Sequence, residues 1–472
     1  MKCTILTVSA LLLFVGCGGG SGAIEKKEVI DIKSEANLTS QLPSTYALKE
    51  ITVPVCNVSD PRVQIIQTKD DWLEINNNHL KSIFCVRPGN YRDGRAVSIN
   101  RSGTKDNPLY IVLDNGNNEH PVKLTENQLA SVDLEFENSD YWIIDRMASV
   151  NTSSIEDHPL LFKNSSHNIV NRHFIDKSSG GITIRDSSNS NTIQNSRFQD
   201  MTKEGLKHDR SAIILEPKKS ISEIKNTNIL HNEIHNFNDG IHLLWREQIQ
   251  SVNFDGTVIY DNDISVDKTI YTDCMGKPDE NGTCSYSENA IDIKSGSKDA
   301  NNPIVVKNNR LWGFRKSDQT DSSLGDPGAA IVIHYGVRYV SISDNTIFDS
   351  VQGILSVEKK RLDYSLLHAN ISKNNIFNIE YPFVITEAVD ISISENYVVN
   401  SLKAWLVLDH TSDGRVDDNQ IVNKKSVNAI EDRYATNVIA KGNLYFETTN
   451  LRDKSFKTDK FSSNPTTVNP LP

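Results

Sequence analysis

The chain has 472 residues and a formal net charge of -11 at pH 7, with 50 Lys and Arg residues against 61 Asp and Glu residues. This balance leaves no broad basic surface, so we expect no nucleic-acid partner. A chain of this length normally divides into about two or three domains. No linker-like segment interrupts its body, which favours a repeat architecture over a string of domains.

The first residues predict export. Lys2 supplies a positive charge, and residues 10–15 form an apolar stretch that is too short to span a bilayer, as in a signal peptide. Gly16 and Cys17, followed by three glycines, resemble the lipobox of bacterial lipoproteins. The resemblance implies cleavage after residue 16 and lipidation of Cys17, with an ordinary secretory signal as the alternative. We therefore expect a lipoprotein of the outer membrane or cell surface, or a periplasmic protein, that touches the membrane only through its anchor.

Composition divides the rest of the chain. Residues 17–45 are predicted to be a flexible tether, residues 46–455 the folded body and residues 456–472 a C-terminal tail. Of 6 cysteines, Cys3 leaves with the signal peptide and Cys17 takes the lipid. We expect disulfides among the other four, with Cys56 and Cys85 as one candidate pair and Cys274 and Cys284 as another.

One sequence pattern recurs in the predicted folded body: a β-rich segment, an asparagine, an apolar residue two positions later, and another β-rich segment. The key asparagines are Asn232, Asn262, Asn309, Asn345, Asn374, Asn396, Asn419 and Asn443. Their later spacings approach one turn of a β-helix, and the longer ones fit a turn with an insertion. Stacked turns pair their backbones, and aligned asparagines form a hydrogen-bonded ladder at a corner. The sequence therefore predicts an all-β chain folded as a parallel β-helix, a single solenoid with long loop insertions.

The start of the body carries a family resemblance. The segment from Arg87 to Tyr91 (RPGNY), then Ser102-Gly103-Thr104 and Asn107-Pro108, resembles the opening of many β-helix polysaccharide lyases. The resemblance implies a right-handed helix of the pectin-lyase type, and we expect a monomer.

Six strand starts, each a small residue followed by an apolar one, can be aligned as successive turns. They begin at Gly181, Ala212, Gly240, Ala290, Ala330 and Gly353. If positions two and four face inward, positions three and five face outward. The outward columns then bring His242, Asp292, Lys294 and His334 into one patch, with Asp239, Glu216 and Glu288 at its edges. Insertions at residues 265–287 and 315–328 precede two of these strands and are expected to wall a groove.

A groove of Lys, His and carboxylate groups suits β-elimination in a uronic-acid polysaccharide. A cation neutralises the uronate carboxylate, a base removes the neighbouring proton, and an acid serves the leaving oxygen. Residues 288–294, followed by His334, resemble the active region of the chondroitinase B and alginate lyase family. The resemblance implies Lys294 as base, His334 beside it, and Ca²⁺ held by Asp239, Glu288 and Asp292.

This sequence departs from the family where Ile333 replaces an arginine, so Tyr335, Arg338 and Arg315 are candidate replacements for the acid. Candidate substrate-binding residues are His242, Trp245, Arg246 and Arg315, and Trp405 is a further candidate for stacking on sugars. Trp312 is another, but its position three residues after Asn309 favours packing beside the ladder. The predicted activity is that of a polysaccharide lyase with an acidic polysaccharide substrate. The alternatives are a glycoside hydrolase, a C5-epimerase, or a non-catalytic glycan-binding or adhesin lipoprotein. In the simplest reading, Lys294 and Asp292 are an ordinary surface ion pair.

Overall fold

The computed structural model describes residues 48, 50–92, 95–116, 119–150, 158–178, 180–201, 211–218, 222–237, 239–244, 254–267, 288–315, 329–334, 336–357, 366–423, 430–446 and 460–462. All of them belong to one compact unit, Leu42–Val468. Within these ranges, no helix has the length and apolar character needed to cross a membrane. The predicted signal peptide, Cys17, and the Cys274 and Cys284 pair lie outside the described residues.

Three long parallel sheets make up the described part of the chain. Sheet A has 14 strands: β1 (Val63–Ile66), β2 (Ile83–Val86), β5 (Leu109–Leu113), β8 (Trp142–Asp145), β11 (Ile169–Asn171), β14 (Thr192–Gln194), β17 (Asn228–Leu230), β20 (Val258–Tyr260), β23 (Ile304–Lys307), β26 (Val337–Ser343), β29 (Leu366–Ser372), β32 (Ala388–Ser394), β35 (Arg415–Asp417) and β38 (Ile439–Lys441).

Sheet B also has 14 strands: β3 (Gly89–Asn90), β6 (Ala130–Ser131), β9 (Ala148–Val150), β12 (Phe174–Asp176), β15 (Arg197–Gln199), β18 (Glu233–His235), β21 (Asp263–Ser265), β24 (Arg310–Trp312), β27 (Thr346–Phe348), β30 (Asn375–Phe377), β33 (Tyr397–Val399), β36 (Gln420–Val422), β39 (Leu444–Phe446) and β40 (Lys460–Ser462). Sheet C has 12 strands: β4 (Val97–Ile99), β7 (Leu134–Glu137), β10 (Leu160–Lys163), β13 (Ile182–Arg185), β16 (Ser211–Glu216), β19 (Asp239–Leu243), β22 (Asn289–Ile293), β25 (Ala329–Ile333), β28 (Gln352–Ser356), β31 (Tyr381–Thr386), β34 (Leu406–Asp409) and β37 (Ile430–Arg433).

From β2 to β39, each turn of the chain runs through sheet A, sheet B and sheet C before it returns to sheet A. Successive turns pair in parallel, so every strand meets the equivalent strand of the turns before and after it. The helices within the described ranges are short: α1 (Lys69–Leu73), which Thr68 caps, and two 3-10 helices at Pro121–Lys123 and Glu126–Gln128. The predicted all-β fold and parallel β-helix are confirmed. The right-handed sense stays a prediction.

Aliphatic columns fill the interior. In sheet A, Ile229 pairs with Ile259, Ile259 with Val306, and Val306 with Ile342, and all four are fully buried. Sheets B and C contribute equivalent columns to the same core cluster. The β-branched residues suit a pleated surface where each side chain packs on its copies one turn away. The burial of these columns is the main stabilising contribution to a strand that cannot stand alone.

The corner between sheets A and B has the same form in every turn from β8 to β39, whereas a longer connection joins β5 to β6. Two residues join the strands; the first has a left-handed backbone, as at Asp261 (φ 53°) and Asn308 (φ 58°). The second, in the later turns, is the key asparagine. The Nδ2 group of Asn309 donates to Oδ1 of Asn345 at 3.0 Å, and its Oδ1 accepts from Asn262 at 2.9 Å. The pattern runs unbroken from Asn232 to Asn443, which confirms the predicted ladder.

Two features mark the ends of the described helix. A disulfide joins Cys56 to Cys85 on β2, as expected, with Cα atoms 5.8 Å apart. Disulfides persist in oxidising compartments outside the cytosol, which agrees with export. At the other end, β40 (Lys460–Ser462) pairs with β39, so sheet B continues past residue 455 into the segment expected to be a tail.

Candidate functional site

The outer face of sheet C carries the candidate site. His242 on β19 lies opposite Asp292 on β22, and Asp292 lies opposite Val332 on β25. The column is otherwise apolar nearby, with Ile214 on the turn before His242. This register agrees with the one predicted from the aligned strand starts. A pair of ionisable side chains in an apolar column is costly unless other groups stabilise it, so the surroundings decide its role.

A bulge common to these strands places Asp239 beside His242. The strand pairing matches Ser211 with Asp239 and then Ile213 with Ile241, without pairing the residues between them. A Cβ atom on Gly240 would lie 2.4 Å from the carbonyl oxygen of Ala290 and 2.9 Å from the buried side chain of Ile264. Position 240 therefore faces the interior, as Ile241 does, and Asp239 returns to the outer face. Only a small residue fits at the bulge.

Five side chains meet there, and we call them the Asp292 cluster: Asp239, His242, Asp292, Lys294 and His334. Around the Asp292 carboxylate, Nζ of Lys294 lies 3.0 Å from Oδ2, Nε2 of His334 lies 3.0 Å from Oδ1, and Nε2 of His242 lies 3.5 Å from Oδ2. On the other side of the ring, Nδ1 of His242 lies 3.6 Å from Oδ2 of Asp239. Three successive turns thus converge on one carboxylate.

Burial divides the cluster into two layers. The side chains of His242, Asp239 and Asp292 are at most 2% exposed, whereas Lys294 is 24% exposed and His334 is 21% exposed. The amine and one imidazole are therefore the members that a molecule in solution reaches first. The buried carboxylates orient groups rather than contact a large ligand.

Electrostatics fixes the charge of the central group. Burial alone raises the pKa of the Asp292 carboxyl group, because an anion is poorly solvated there. The hydrogen bond from His334 and the positive charges of His242, His334 and Lys294 outweigh burial and lower the pKa from 3.8 to about 2. Asp292 is therefore an anion at ordinary pH, and it attracts the ammonium and imidazole groups around it.

Two polar residues at the site were not predicted from the sequence. Oγ of Ser211 lies 3.3 Å from Nδ1 of His242, and Nδ2 of Asn289 donates to Oδ1 of Asp239 at 3.3 Å. Both stand immediately before the small residue of their strands, in the same column as Asp239. Strict alternation places that column inside the helix, and the bulge turns it outward. The sequence signal that could have identified these residues is a polar residue directly before Gly or Ala, which recurs in neighbouring strands.

The other predicted residues lie apart from the cluster or outside the described residues. Glu288 is exposed directly before β22, and Arg338 is exposed on β26 of sheet A. Arg315 pairs with Asp349 of the next turn. Trp245, Arg246 and Tyr335 lie outside the described residues, as do 268–287 and 316–328 of the two insertions.

Of the tryptophans predicted to stack on sugars, the two that the structure describes, Trp312 and Trp405, do not present open ring faces to a sugar. Trp405 is fully buried, so its prediction as a sugar platform is wrong. Trp312 stacks on Phe348 with ring centres 5.7 Å apart and planes 7° apart, on the outer face of sheet B. These aromatic rings pack on each other along the helix and stabilise it.

Calcium fits this donor set poorly. Ca²⁺ takes about six to eight oxygen ligands, whereas the group able to surround an ion consists of Asp239, Asp292 and the imidazole of His242. Glu288, which the resemblance implied as a ligand, is not a member of that group. The donor groups in the described part of the chain therefore give no basis for a reaction step through Ca²⁺.

Comparison with solved structures gives the fold a wider context. PfbA, a surface adhesin of Streptococcus pneumoniae, matches with a TM-score of 0.50 and 10% identity over 79% of this chain and 88% of that chain. An alginate lyase from Paenibacillus sp. str. FPU-7 matches with a TM-score of 0.41 and 13% identity over 81% of this chain and 99% of that chain. The A-module of a mannuronan C-5 epimerase from Azotobacter vinelandii matches with a TM-score of 0.46 and 8% identity over 81% of this chain and 96% of that chain.

The chain is a parallel β-helix. At these identities the likeness concerns the fold alone, and β-helices serve more than one function, so the chemistry must come from the site. Comparisons with protein families and with curated proteins found no match.

Proposed function

We propose that the protein is a polysaccharide lyase that cleaves a uronic-acid polymer by β-elimination at the Asp292 cluster. The observation that carries the proposal is the position of Lys294 and His334, side by side at the exposed edge of a buried carboxylate. β-Elimination needs a cation for the uronate carboxylate and a base for the neighbouring proton. The two exposed members of the cluster supply both kinds of group.

Lys294 is the better cation. Its Nζ atom lies 3.0 Å from Oδ2 of Asp292, and an ion pair with a carboxylate stabilises the ammonium form. An ammonium group at the site neutralises the uronate and stabilises the enolate that forms as the proton leaves. This assignment differs from the base role that the family resemblance implied for Lys294.

His334 is the better base. Its Nε2 atom lies 3.0 Å from Oδ1 of Asp292, which orients the ring and leaves the other nitrogen for the substrate. In the proposed step, that nitrogen takes the proton from the sugar carbon beside the carboxylate. The electron pair of the broken C–H bond forms the new carbon–carbon double bond. The bond from the next carbon to the glycosidic oxygen breaks, and the imidazolium returns the proton to that oxygen.

The burial of the carboxylates argues against glycoside hydrolysis here. A hydrolase needs two carboxyl groups that reach the glycosidic bond from opposite sides. Asp239 and Asp292 both lie beneath the outer layer, at most 2% exposed, and both face His242. A C5-epimerase uses the same proton abstraction and differs in its product, so the assay must distinguish the two. An adhesin binds without forming any product.

The first test is product formation by the full chain. Alginate, pectate, chondroitin and heparinoid polymers are incubated with the protein, and the unsaturated uronate is followed by its ultraviolet absorbance. We expect one polymer to give this product. A change of C5 configuration without chain cleavage would identify an epimerase, and binding without either product would contradict the proposal.

Variants at two positions then assign the roles. Lys294→Ala is expected to lower kcat by about 10²–10³, the effect of removing one charge-stabilising group, while Lys294→Arg keeps most of the activity because it keeps the charge. His334→Gln is expected to cost about 10²–10⁴, the usual contribution of a general base. Lys298→Ala, at an exposed position four residues after Lys294, is the control. A Lys294→Arg variant as inactive as Lys294→Ala, together with an active His334→Gln variant, would restore Lys294 as the base.

A further inference from the structure

Three buried residues of the Asp292 cluster have the composition of an ion site. Asp239, His242 and Asp292 each offer one ligand atom, and these atoms all lie within 4.8 Å of one another. Their side chains are at most 2% exposed. Buried carboxylates and imidazoles rarely gather without a compensating charge, because each loses its hydration.

Both carboxylates are held so that one oxygen of each faces the imidazole. Oδ1 of Asp239 accepts from Asn289 at 3.3 Å, and its Oδ2 lies 3.6 Å from His242. Oδ1 of Asp292 lies 3.0 Å from Nε2 of His334, and its Oδ2 lies 3.5 Å from His242. Outer partners that fix the far oxygen of a carboxylate are typical of the groups behind metal ligands.

We propose that Asp239, His242 and Asp292 bind one first-row divalent ion of the zinc or manganese type, and not Ca²⁺. An imidazole nitrogen suits these ions, whereas Ca²⁺ prefers oxygen ligands alone. Ligands about 2.1 Å from a tetrahedral ion lie about 3.4 Å apart, and the three candidate ligand atoms lie within 4.8 Å of one another, so they move closer together on binding. The two carboxylates approach different ring nitrogens, so one carboxylate shifts toward the coordinating nitrogen on binding. This ion site does not depend on the proposed reaction.

Lys294 gives the site a distinctive property. Its Nζ atom lies 3.0 Å from Oδ2 of Asp292, the same oxygen that faces His242. The ammonium group and the ion therefore compete for one oxygen and repel each other. Removal of the lysine charge is expected to tighten ion binding, whereas removal of a ligand abolishes it.

The test measures binding and needs no substrate. The full chain is freed of metal with a chelator and titrated calorimetrically with ZnCl₂, MnCl₂ and CaCl₂, and the bound metal is counted by elemental analysis. We expect one zinc or manganese ion per chain, with CaCl₂ at least about tenfold weaker. The proposal is overturned by the absence of stoichiometric binding, or by calcium binding more tightly than both other ions.

Variants locate the ion. His242→Gln is expected to abolish binding, and Asn289→Ala, which removes only an outer partner and serves if His242→Gln does not fold, to weaken it by about 10–100-fold. Lys294→Met is expected to tighten it several-fold. Asp390→Asn is the matched control, because Asp390 also pairs with a histidine, His368 at 2.6 Å, at a well exposed position. Equal losses in the control, or weaker binding by Lys294→Met, would place the ion elsewhere.

Discussion

His173 shows how much one buried side chain contributes to the pH response of the fold. It occupies the corner position that asparagine holds in later turns. The backbone N–H of His173 donates to Oγ of Ser196, and the backbone N–H of Ser196 donates to Oδ1 of Asn232. Its side chain is 1% exposed. Burial, with a smaller contribution from nearby His120, lowers the pKa of His173 from 6.5 to about 3. The folded chain therefore keeps this ring neutral through mild acid.

The sign of the resulting pH dependence follows from proton binding. Between pH 6.5 and about 3 the unfolded chain carries a proton on residue 173 that the folded chain lacks. The stabilisation is therefore complete above the unfolded pKa and is lost as the pH falls, by at most about 1.4 kcal/mol per pH unit. His173→Asn is expected to lose less thermal stability than the parent between about pH 7 and about pH 4. Parallel melting curves for the two proteins would contradict this, and His79→Asn, at an exposed position, is the control.

Residue identity also decided which parts of the site could be predicted. His242, Asp292, Lys294 and His334 came together from sequence because the aligned strand starts set a register that the structure shares. Asn289 and Ser211 could not be placed, because period-two alternation does not anticipate a bulge. The sequence allowed an ion pair between Lys294 and Asp292 but did not give its length of 3.0 Å, which changes the expected role of that amine. The role of each side chain depends on interatomic distances, and an alignment of strand starts does not give them.

At the scale of elements, the asparagine ladder offers a matched pair of neighbours. Asn374 donates to the carbonyl of Ile342 and to Asn396, and accepts from Asn345, all near 3.0 Å. Asn375 is the next residue, partly exposed on the outer face of β30. Asn374→Ala leaves buried backbone and amide groups without partners, so it is expected to lower the free energy of unfolding by about 2–4 kcal/mol.

Substitution of Asn375 is the control that shows how much of the expected loss of stability is due to the ladder. Asn375→Ala is expected to change the free energy of unfolding by no more than about 0.5 kcal/mol, as at other surface positions. Denaturation in urea compares the two variants with the parent. Similar losses in both variants would mean that the ladder adds no more stability than an ordinary polar surface residue.

The ladder was also the element that sequence predicted best. Asparagine needs a fixed neighbour one turn away, so the spacing of the residues records the turns directly. The strands themselves are too short to be recognised one by one, and many comprise only three residues. The connections from sheet B to sheet C vary greatly in length, so no sequence period marks them.

At the scale of the whole molecule, contacts between turns are local, because each turn touches mainly its two neighbours. The disulfide between Cys56 and Cys85 lies at the N-terminal end, many turns before β16 to β25, which carry the site. A Cys56→Ala, Cys85→Ala double variant is expected to lose about 3 kcal/mol from the constraint on its loop. The loss should appear as faster proteolysis near residue 56, with kcat unchanged. A large fall in kcat would show that stability spreads along the whole helix.

The constant corner between sheets A and B has an evolutionary consequence. Because two residues join these sheets in every turn from β8 to β39, a gain or loss of chain there would move the asparagine of that turn out of line. The connections between sheets B and C differ in length from turn to turn, while the asparagine ladder between sheets A and B is unchanged. Because the Asp292 cluster lies on strands of sheet C, a change of length in these connections would alter the surroundings of the cluster without moving the asparagine ladder.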